Sequence, residues 1–493
     1  MTYTILDCYT DEASGLGVPP YLGTYPRYLA GMLAIEKQES IENINYLTID
    51  DLRLNTFYKG EIKPTTKKDK TNIKIYNLTR TTEETSKILK NTDTLFINLG
   101  VHVPGKYLSA LPGTIKEVTN LTKDLNCKKI LTGPATLGTR LEGGKKAEII
   151  NTKDFNKIEN YNFSFQKLQD FSVKGAQILK QIPDKRVIEI ETGRGCKYGK
   201  CSFCTESLKN KFCNRQNKDI LEEIKAFYRL GARYFRLGKQ ADFYASEDPI
   251  KLLQQIRKIC PGIEILHIDN VNPTSVITKK GEEITKAISK YCTSGNVAAF
   301  GIESFDPEVI KLNTLNTTPK IAMKAIEIIN RYGREQGETG MPKFLPGINI
   351  ILGLHGETKQ THKCNIEALK EIMNKDLLLR RINVRQVTVM PGTKMEEYGN
   401  KSLRKNKKYY WKWRNEIRQN IDYPMLGKIL PKNTILKNCH AEIYDGNTTF
   451  CRQFGTYPLI IGVKGRLDLK EFYNIKVTDY MLRSVVGEVC WGN

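Results

Sequence analysis

The chain has 493 residues, 40% of them hydrophobic and 27% charged, with a net charge of +23. It contains no run of about 18 apolar residues, which excludes a membrane-spanning helix, and its opening MTYTILDCYT lacks the basic-then-apolar order of a secretory leader. The length predicts about three domains of ordinary size, and twelve cysteines without framework spacing predict a reducing, cytoplasmic setting. So large a cationic excess fits a polyanionic partner such as RNA. A Lys-, Asn- and Ile-rich composition with solvated lysines explains it equally well.

Residues 1–150 alternate β-prone and helical segments. Tyr3–Leu6, Ile44–Ile49, Thr94–Leu99 and Lys129–Thr132 read as strands, and Pro26–Ile35 and Thr114–Leu125 as helices. Such alternation predicts an open parallel sheet with ligand loops at the strands' C-terminal ends, here Asp7–Gly23, Gly100–Gly105 and Gly133–Gly138. His102 falls in one of these loops, where a lone histidine is more often solvated or structural than a ligand. Residues 151–185 are polar and lysine-rich, with an amphipathic piece near Phe165–Leu179 that reads as a linker helix.

Residues 189–206 read EIETGRGCKYGKCSFCTE. Cys196, Cys201 and Cys204 share one short loop behind the apolar run Arg186–Glu191. Thiolates this close are better placed to converge on a metal centre than to pair with distant partners. Three soft ligands without an obvious fourth suit an iron–sulfur cluster whose remaining iron is open to substrate. A three-cysteine zinc site and chance clustering are the alternatives.

Beyond the loop, helical stretches at Ile220–Leu230, Pro249–Cys260, Glu282–Tyr291, Pro319–Tyr332 and Thr361–Met373 alternate with β-prone ones. The latter are Tyr234–Leu237, Glu264–Ile268, Val297–Ile302, Gly347–Leu354 and Ile382–Val389. With the first strand at 186–191, six strand–helix units over 186–400 predict an α/β fold, a partial (β/α)6 barrel with its site at the strands' C-terminal ends. Polar groups expected at that mouth are Glu206, Asp242, His267, Asp269, Asn270 and Asn272. The run 267–272 reads either as a substrate-facing loop or as a helix-capping turn.

The cysteine loop after the first strand, closing on Cys-x-Phe-Cys, resembles the cluster loop of the radical S-adenosylmethionine (SAM) superfamily. The resemblance implies a 4Fe–4S cluster on Cys196, Cys201 and Cys204 whose open iron chelates SAM. Reductive cleavage would then give methionine and a 5′-deoxyadenosyl radical. Four residues, Lys197 to Lys200, separate the first two cysteines where the family usually has three; Gly199 can absorb the extra one in a conformation other residues avoid.

Gly301-Ile302-Glu303-Ser304 resembles the family's fourth-strand motif, whose glutamate is implied to accept from the SAM ribose hydroxyls. Asn349 to Gly353, with Gly356-Glu357-Thr358, resembles the fifth-strand motif, though His355 replaces its proline. Asn383–Val387, including Gln386, resembles the sixth strand that backs adenine. The resemblance also places Phe203 by the adenine, and Gly238 and Gln240 by the SAM carboxylate or the substrate.

The first 150 residues resemble the cobalamin-binding-like domain of one class of these enzymes, without the Asp-x-His-x-x-Gly motif that ligates cobalt. A flavodoxin-like domain without a cofactor is the alternative. Only Cys8 and Cys127 are available for the three-cysteine auxiliary cluster of methylthiotransferases, so that cluster is not expected. In residues 401–430, Lys401–Arg418 interleaves cations with Tyr409, Tyr410, Trp411 and Trp413, a pattern suited either to RNA or to an amphipathic docking helix. Five short β-prone runs over 431–493 resemble a TRAM-type β-barrel.

Taken whole, the chain resembles an archaeal-type radical SAM protein that installs a methyl or methylthio group on RNA, most readily tRNA, with a reducing electron donor. Modification of a protein side chain, and a non-catalytic metal-containing RNA-binding protein, are the rival readings.

Overall fold

The computed structural model describes residues 1–10, 17–61, 75–100, 110–137 and 152–490. His102 and parts of the three expected ligand loops lie outside these residues. The chain begins with β1 (Tyr3–Asp7), β2 (Tyr21–Leu22), α1 (Thr24–Glu36), β3 (Ile44–Thr48), α2 (Ile49–Thr56), α3 (Thr82–Lys90) and β4 (Thr94–Asn98). It continues through α4 (Ile115–Thr122), β5 (Lys128–Thr132), β6 (Lys157–Ile158) and α5 (Phe165–Gly175). A parallel sheet in the order β3-β1-β4-β5-β6 forms the first layer. Its helices start on side-chain caps: Thr48 with Asp51, and Thr81 with Glu84, form reciprocal capping boxes on α2 and α3.

The sequence next supplies β7 (Val187–Glu191), the two-residue strands β8 (Gly193–Arg194) and β9 (Cys213–Asn214) that bracket the cysteine loop with α6 (Glu206–Lys209), and α7 (Asn217–Arg229). Then come β10 (Tyr234–Gly238), α8 (Pro249–Ile259), β11 (Ile265–Ile268), β12 (Asn270–Val271), α9 (Pro273–Val276) and α10 (Lys279–Tyr291). β13 (Asn296–Glu303), α11 (Pro307–Leu312), α12 (Pro319–Gly333), β14 (Phe344–Leu352), α13 (Lys359–Asn374) and β15 (Arg381–Gln386) complete the unit. The sheets β2-β7-β10-β11 and β12-β13-β14-β15, each all parallel, follow one another along the chain as the curved wall of the expected partial barrel. Four of its helices open with a cap followed by proline, at Asp248-Pro249, Asn272-Pro273, Asp306-Pro307 and Thr318-Pro319. Proline at N1 gives up an amide that has no intrahelical partner anyway.

The N-terminal unit is riveted to this wall. β2 pairs with β7, and α1 crosses α5 so closely that a methyl group at Gly31 would sit 1.9 Å from the Phe171 carbonyl oxygen. Arg27 of α1 and Arg215 both bind the fully buried Glu223 of α7.

After α14 (Lys394–Tyr398), α15 (Lys401–Asn406), α16 (Tyr410–Ile417) and α17 (Tyr423–Ile429) come β16 (Ile435–Asp445), β17 (Thr448–Gln453), β18 (Ile460–Lys464), β19 (Phe472–Tyr480) and β20 (Ser484–Val489). These five strands close into a barrel, β16-β17-β18-β20-β19, the small β-barrel expected there. Phe454 and Phe472 from this barrel pack on Tyr21, Val187, Tyr234 and Ile265, at or near the N-terminal ends of β2, β7, β10 and β11. The small barrel therefore stops the lower end of the large one. No helix among the described residues is long and apolar enough to cross a membrane.

Candidate active site at the mouth of the barrel

The cysteine loop is held by backbone and buried polar groups. The Ser202 amide donates to the Asn313 carbonyl at 3.0 Å, the Met395 amide to the Ser202 carbonyl at 2.8 Å, and the Gly195 amide to Glu206 Oε1 at 2.9 Å. Gly199 has φ +61°, the left-handed conformation expected for the extra residue of the loop. All three cysteines are partly buried. Burial pushes the Cys201 thiol up to about 12, and Cys204, Glu303 and Cys196 add to the effect. Burial likewise raises Cys204, against the Glu206 amide 3.5 Å from its sulfur.

Cys201 thus feels both other thiols, and Cys204 feels Cys196, across a shared space. Among the described residues no three His, Cys, Asp or Glu side chains converge on a single ion position. A cubane would give each thiolate its own iron. The cluster's positive irons would also favour loss of the three thiol protons.

A cavity of about 820 Å³ opens beside the loop, within the range of small-molecule sites. It lies between the barrel mouth and the N-terminal unit, which contributes Tyr25, Tyr28, Thr132, Pro134 and Asn160 to Phe163. Phe203, Glu303 and Asn349 line it. Glu303 has φ +67°, an uncommon conformation for a non-glycine residue, and its Oε2 is buried without a hydrogen-bond partner. Burial raises this carboxyl to about 8 against the pull of Arg385. Gly301 lies alongside, where a methyl group would come 3.0 Å from Glu303 Oε1. An acceptor left open beside Phe203, and close enough to Cys201 and Cys204 to interact with both electrostatically, fits a ribose-bearing ligand anchored on a thiolate-held cluster.

The remaining motif residues sit elsewhere. Gln240, with its Oε1 unpartnered, lines a second cavity of about 290 Å³ that touches Cys196. Gly238 packs against Arg236 and Glu189, leaving 2.9 Å between an added methyl group and Arg236 Nη1. The Ser304 hydroxyl accepts from the Asp306 amide at 3.1 Å, just before α11. Gly353, at φ +91°, donates its amide to Glu357 Oε2 at 2.8 Å. Gln386 ends β15 outside the cavity lining, whereas Arg385 and Thr388 lie within it.

Of the polar groups expected at the mouth, Glu206, Asp269 and Asn270 line the main cavity. Asp242 and Asn272 cap local turns, Asp242 accepting from the Asn272 amide at 3.1 Å and Asn272 from the Thr274 amide at 3.2 Å. His267 instead faces the C-terminal barrel, its Nδ1 accepting from the Thr456 amide at 2.9 Å, and burial lowers it to about 4.

Charged residues absent from the motifs make up the cavity floor. Arg236 binds Glu189 Oε1 at 2.5 Å through Nη1 and Asp269 Oδ2 through Nη2. Burial would lower the Arg236 guanidinium, but these two carboxylates hold it above its ordinary value. Burial also pulls the Lys239 ammonium down; Tyr25, Glu189 and Glu191 more than offset the pull. Glu189 and Arg236 are legible as charges inside otherwise apolar strands. Tyr457, which also lines the cavity, comes from the distant β17–β18 loop and carries no local signal.

The sequence pattern of the Radical SAM superfamily matches residues 190–364. An uncharacterized protein of Archaeoglobus fulgidus is 39% identical over 512 residues, covering 99% of this chain and 90% of that protein. An uncharacterized protein of Methanocaldococcus jannaschii is 38% identical over 536 residues, covering 98% and 92%. Among solved structures, the radical SAM methyltransferase TsrM from Kitasatospora setae is similar at a TM-score of 0.45 and 12% identity, over 78% of this chain and 72% of that one. The matched stretch begins on β7, takes in the cysteine loop and runs to α13, supplying Phe203, Glu303 and Asn349 to the cavity, and the chain belongs to the radical SAM superfamily.

Proposed function

We propose that Cys196, Cys201 and Cys204 hold the 4Fe–4S cluster of this superfamily, that SAM lies in the 820 Å³ cavity, and that the enzyme methylates RNA. The observation that carries the site assignment is Glu303, whose strained backbone presents an unpartnered carboxylate oxygen beside the thiol loop. When bound and reduced by an external donor, the cluster supplies the electron that cleaves SAM. The protein's own part is to bind and orient. Glu303 accepts from the ribose, Phe203 flanks the adenine, and Asn349, held by Asn383 Nδ2 at 3.2 Å, fixes a polar edge. Gly301 leaves the room that the Glu303 carboxylate needs. Gly238, Gln240, Ser304, Gly353 and Gln386 support the surrounding strand ends in this reading.

The RNA assignment rests on the face of α15 and α16. Trp411 is 67% exposed, with the Arg414 guanidinium 4.7 Å from its ring centre and Lys405, Lys407, Lys408 and Lys412 exposed nearby. Cations around an open indole suit stacking on unpaired bases. Methyl transfer is favoured over methylthio transfer by the two N-terminal cysteines. Cys8 follows the C-terminal end of β1 and Cys127 precedes the N-terminal end of β5, so they lie at opposite ends of the strands of one parallel sheet. The crevice at Thr132 and Pro134 is where a cobalamin would sit.

Anaerobic reconstitution tests the reading. Iron near four per chain, 5′-deoxyadenosine formed from SAM with dithionite, and loss of both in Cys196→Ala are expected. Bound cobalt would select methylation, and a tRNA affinity falling steeply with salt would support RNA. Zinc alone with SAM untouched would overturn the enzyme assignment. A salt-insensitive, weak tRNA affinity would turn the substrate towards a protein side chain.

A further inference from the structure

The floor of the cavity is completed from outside the barrel. The β17–β18 loop enters from below and is pinned at three successive residues, Gly455, Thr456 and Tyr457. The Tyr21 hydroxyl donates to the Gly455 carbonyl, the Thr456 amide to His267 Nδ1 at 2.9 Å, and Arg380 Nη2 to the Tyr457 carbonyl at 3.0 Å. The Arg381 guanidinium lies 4.0 Å from the Tyr457 ring centre. So fixed, Tyr457 adopts φ +54°, an uncommon conformation for an aromatic residue. Its hydroxyl donates to Asp269 Oδ1 at 3.1 Å.

The other oxygen of Asp269 is bound by Arg236, whose second arm reaches Glu189. Each carboxylate oxygen of Asp269 therefore has its own donor, and the Tyr457 hydroxyl sets the rotation of that group. Lys239, Glu303 and Tyr457 are all non-glycine residues at positive φ, and all three line this one cavity. Strained backbone of this kind persists where surrounding contacts over-determine it, which is the case at residues 455–457.

We propose that Tyr457 is a positioning residue of the enzyme: through Asp269 it fixes the Asp269–Arg236–Glu189 chain that sets the charge pattern facing the reacting ligand. The C-terminal barrel is then part of the reaction chamber. The inference rests on the reading that SAM is cleaved in this cavity. The chemistry discharges a sulfonium, so the arrangement of fixed charges around it bears on the rate of cleavage.

The test uses the full-length reconstituted protein, with SAM as the probe and dithionite as the reductant. Tyr457→Phe removes only the hydroxyl. It is expected to keep the iron content, melting temperature and KM for SAM, while kcat for 5′-deoxyadenosine formation falls about tenfold. Asp269→Asn is expected to lower kcat at least as far, and the double variant no further than Asp269→Asn alone. Phe454→Leu, which loosens the plug without touching the hydroxyl, is expected to lower the melting temperature and spare kcat.

Tyr457→Phe indistinguishable from wild type would overturn the proposal, as would multiplicative losses in the double variant. If Asp269→Asn does not fold, the split between kcat and KM in Tyr457→Phe against Phe454→Leu decides alone. Wild-type protein that forms no 5′-deoxyadenosine would instead refute the reading beneath it.

Discussion

Ser202 and Asn313 are joined twice, the Ser202 amide reaching the Asn313 carbonyl at 3.0 Å and the Ser202 hydroxyl reaching Asn313 Oδ1 at 2.8 Å. Asn313 is fully buried, and its amide nitrogen also donates to the carbonyls of Val309 and His355 at 2.8 Å. One side chain thus ties the cysteine loop to the turn after β14. Asn313→Ala would strand several buried groups, a loss of about 3 kcal/mol. Denaturant unfolding should show that loss, and reconstituted iron per chain should fall below that of wild type. Unchanged iron would show that the loop holds its shape without this tie.

Glu357 gives the protein a pH dependence of definite sign. Burial raises its carboxyl to about 7, against the Gly353 amide and Asn406, which lower it. The folded chain therefore binds more protons than the unfolded one between the ordinary carboxylate range and about 7. Where that holds, stability falls as pH rises. Melting of Glu357→Gln should lack this decline, so the gap between variant and wild type should widen in the variant's favour from acid to neutral pH. Parallel curves would contradict the assignment.

The two tryptophans of α16 should separate folding from binding. Trp413 is 6% exposed and stacks between His362, 4.8 Å away, and Tyr409, 5.6 Å away, whereas Trp411 is open to solvent. Trp413→Ala is expected to cost about 3–5 kcal/mol. Trp411→Ala should change stability by about 0.5 kcal/mol or less while weakening RNA retention. Equal effects on melting would contradict the packing described.

Glu223 bridges two guanidiniums, those of Arg27 and Arg215, all three side chains fully buried. Glu223→Ala would break this buried bridge between α1 and α7, a penalty of about 3–5 kcal/mol. Thermal unfolding of the variant checks this, and a loss below 1 kcal/mol would mean that water reaches the site.

The barrel is legible because its units are punctuated locally. Strands end in glycine or polar turns, and helices restart on a cap and a proline, so Pro249, Pro273, Pro307 and Pro319 mark four boundaries directly. Boundaries shift where pairing decides them. β14 begins at Phe344 because Phe344 and Leu345 pair with Asn296 and Val297, and β15 stops at Gln386, after which Val387 and Val389 pack with Leu403 in a separate cluster. Polar residues at strand ends are harder to read. Ser304 and Asn272 bind neighbouring amides, Asp269 faces the cavity, and nothing in their types distinguishes them. In the sixth strand the alternation of faces puts Arg385, and not Gln386, towards the cavity. Tyr457 lies 188 positions from the aspartate it touches, beyond any local pattern.

The loop that seats Tyr457 has a consequence for how the molecule comes into being. Arg452 and Gly455 grip the carbonyl of Pro19 and the hydroxyl of Tyr21, groups more than 430 positions earlier. During synthesis the wall built from residues 187–386 is therefore off the ribosome long before its stopper exists. Until residues 452–457 have emerged, the chamber is a trough open at both ends. A cluster inserted before that moment would meet an unfinished vessel.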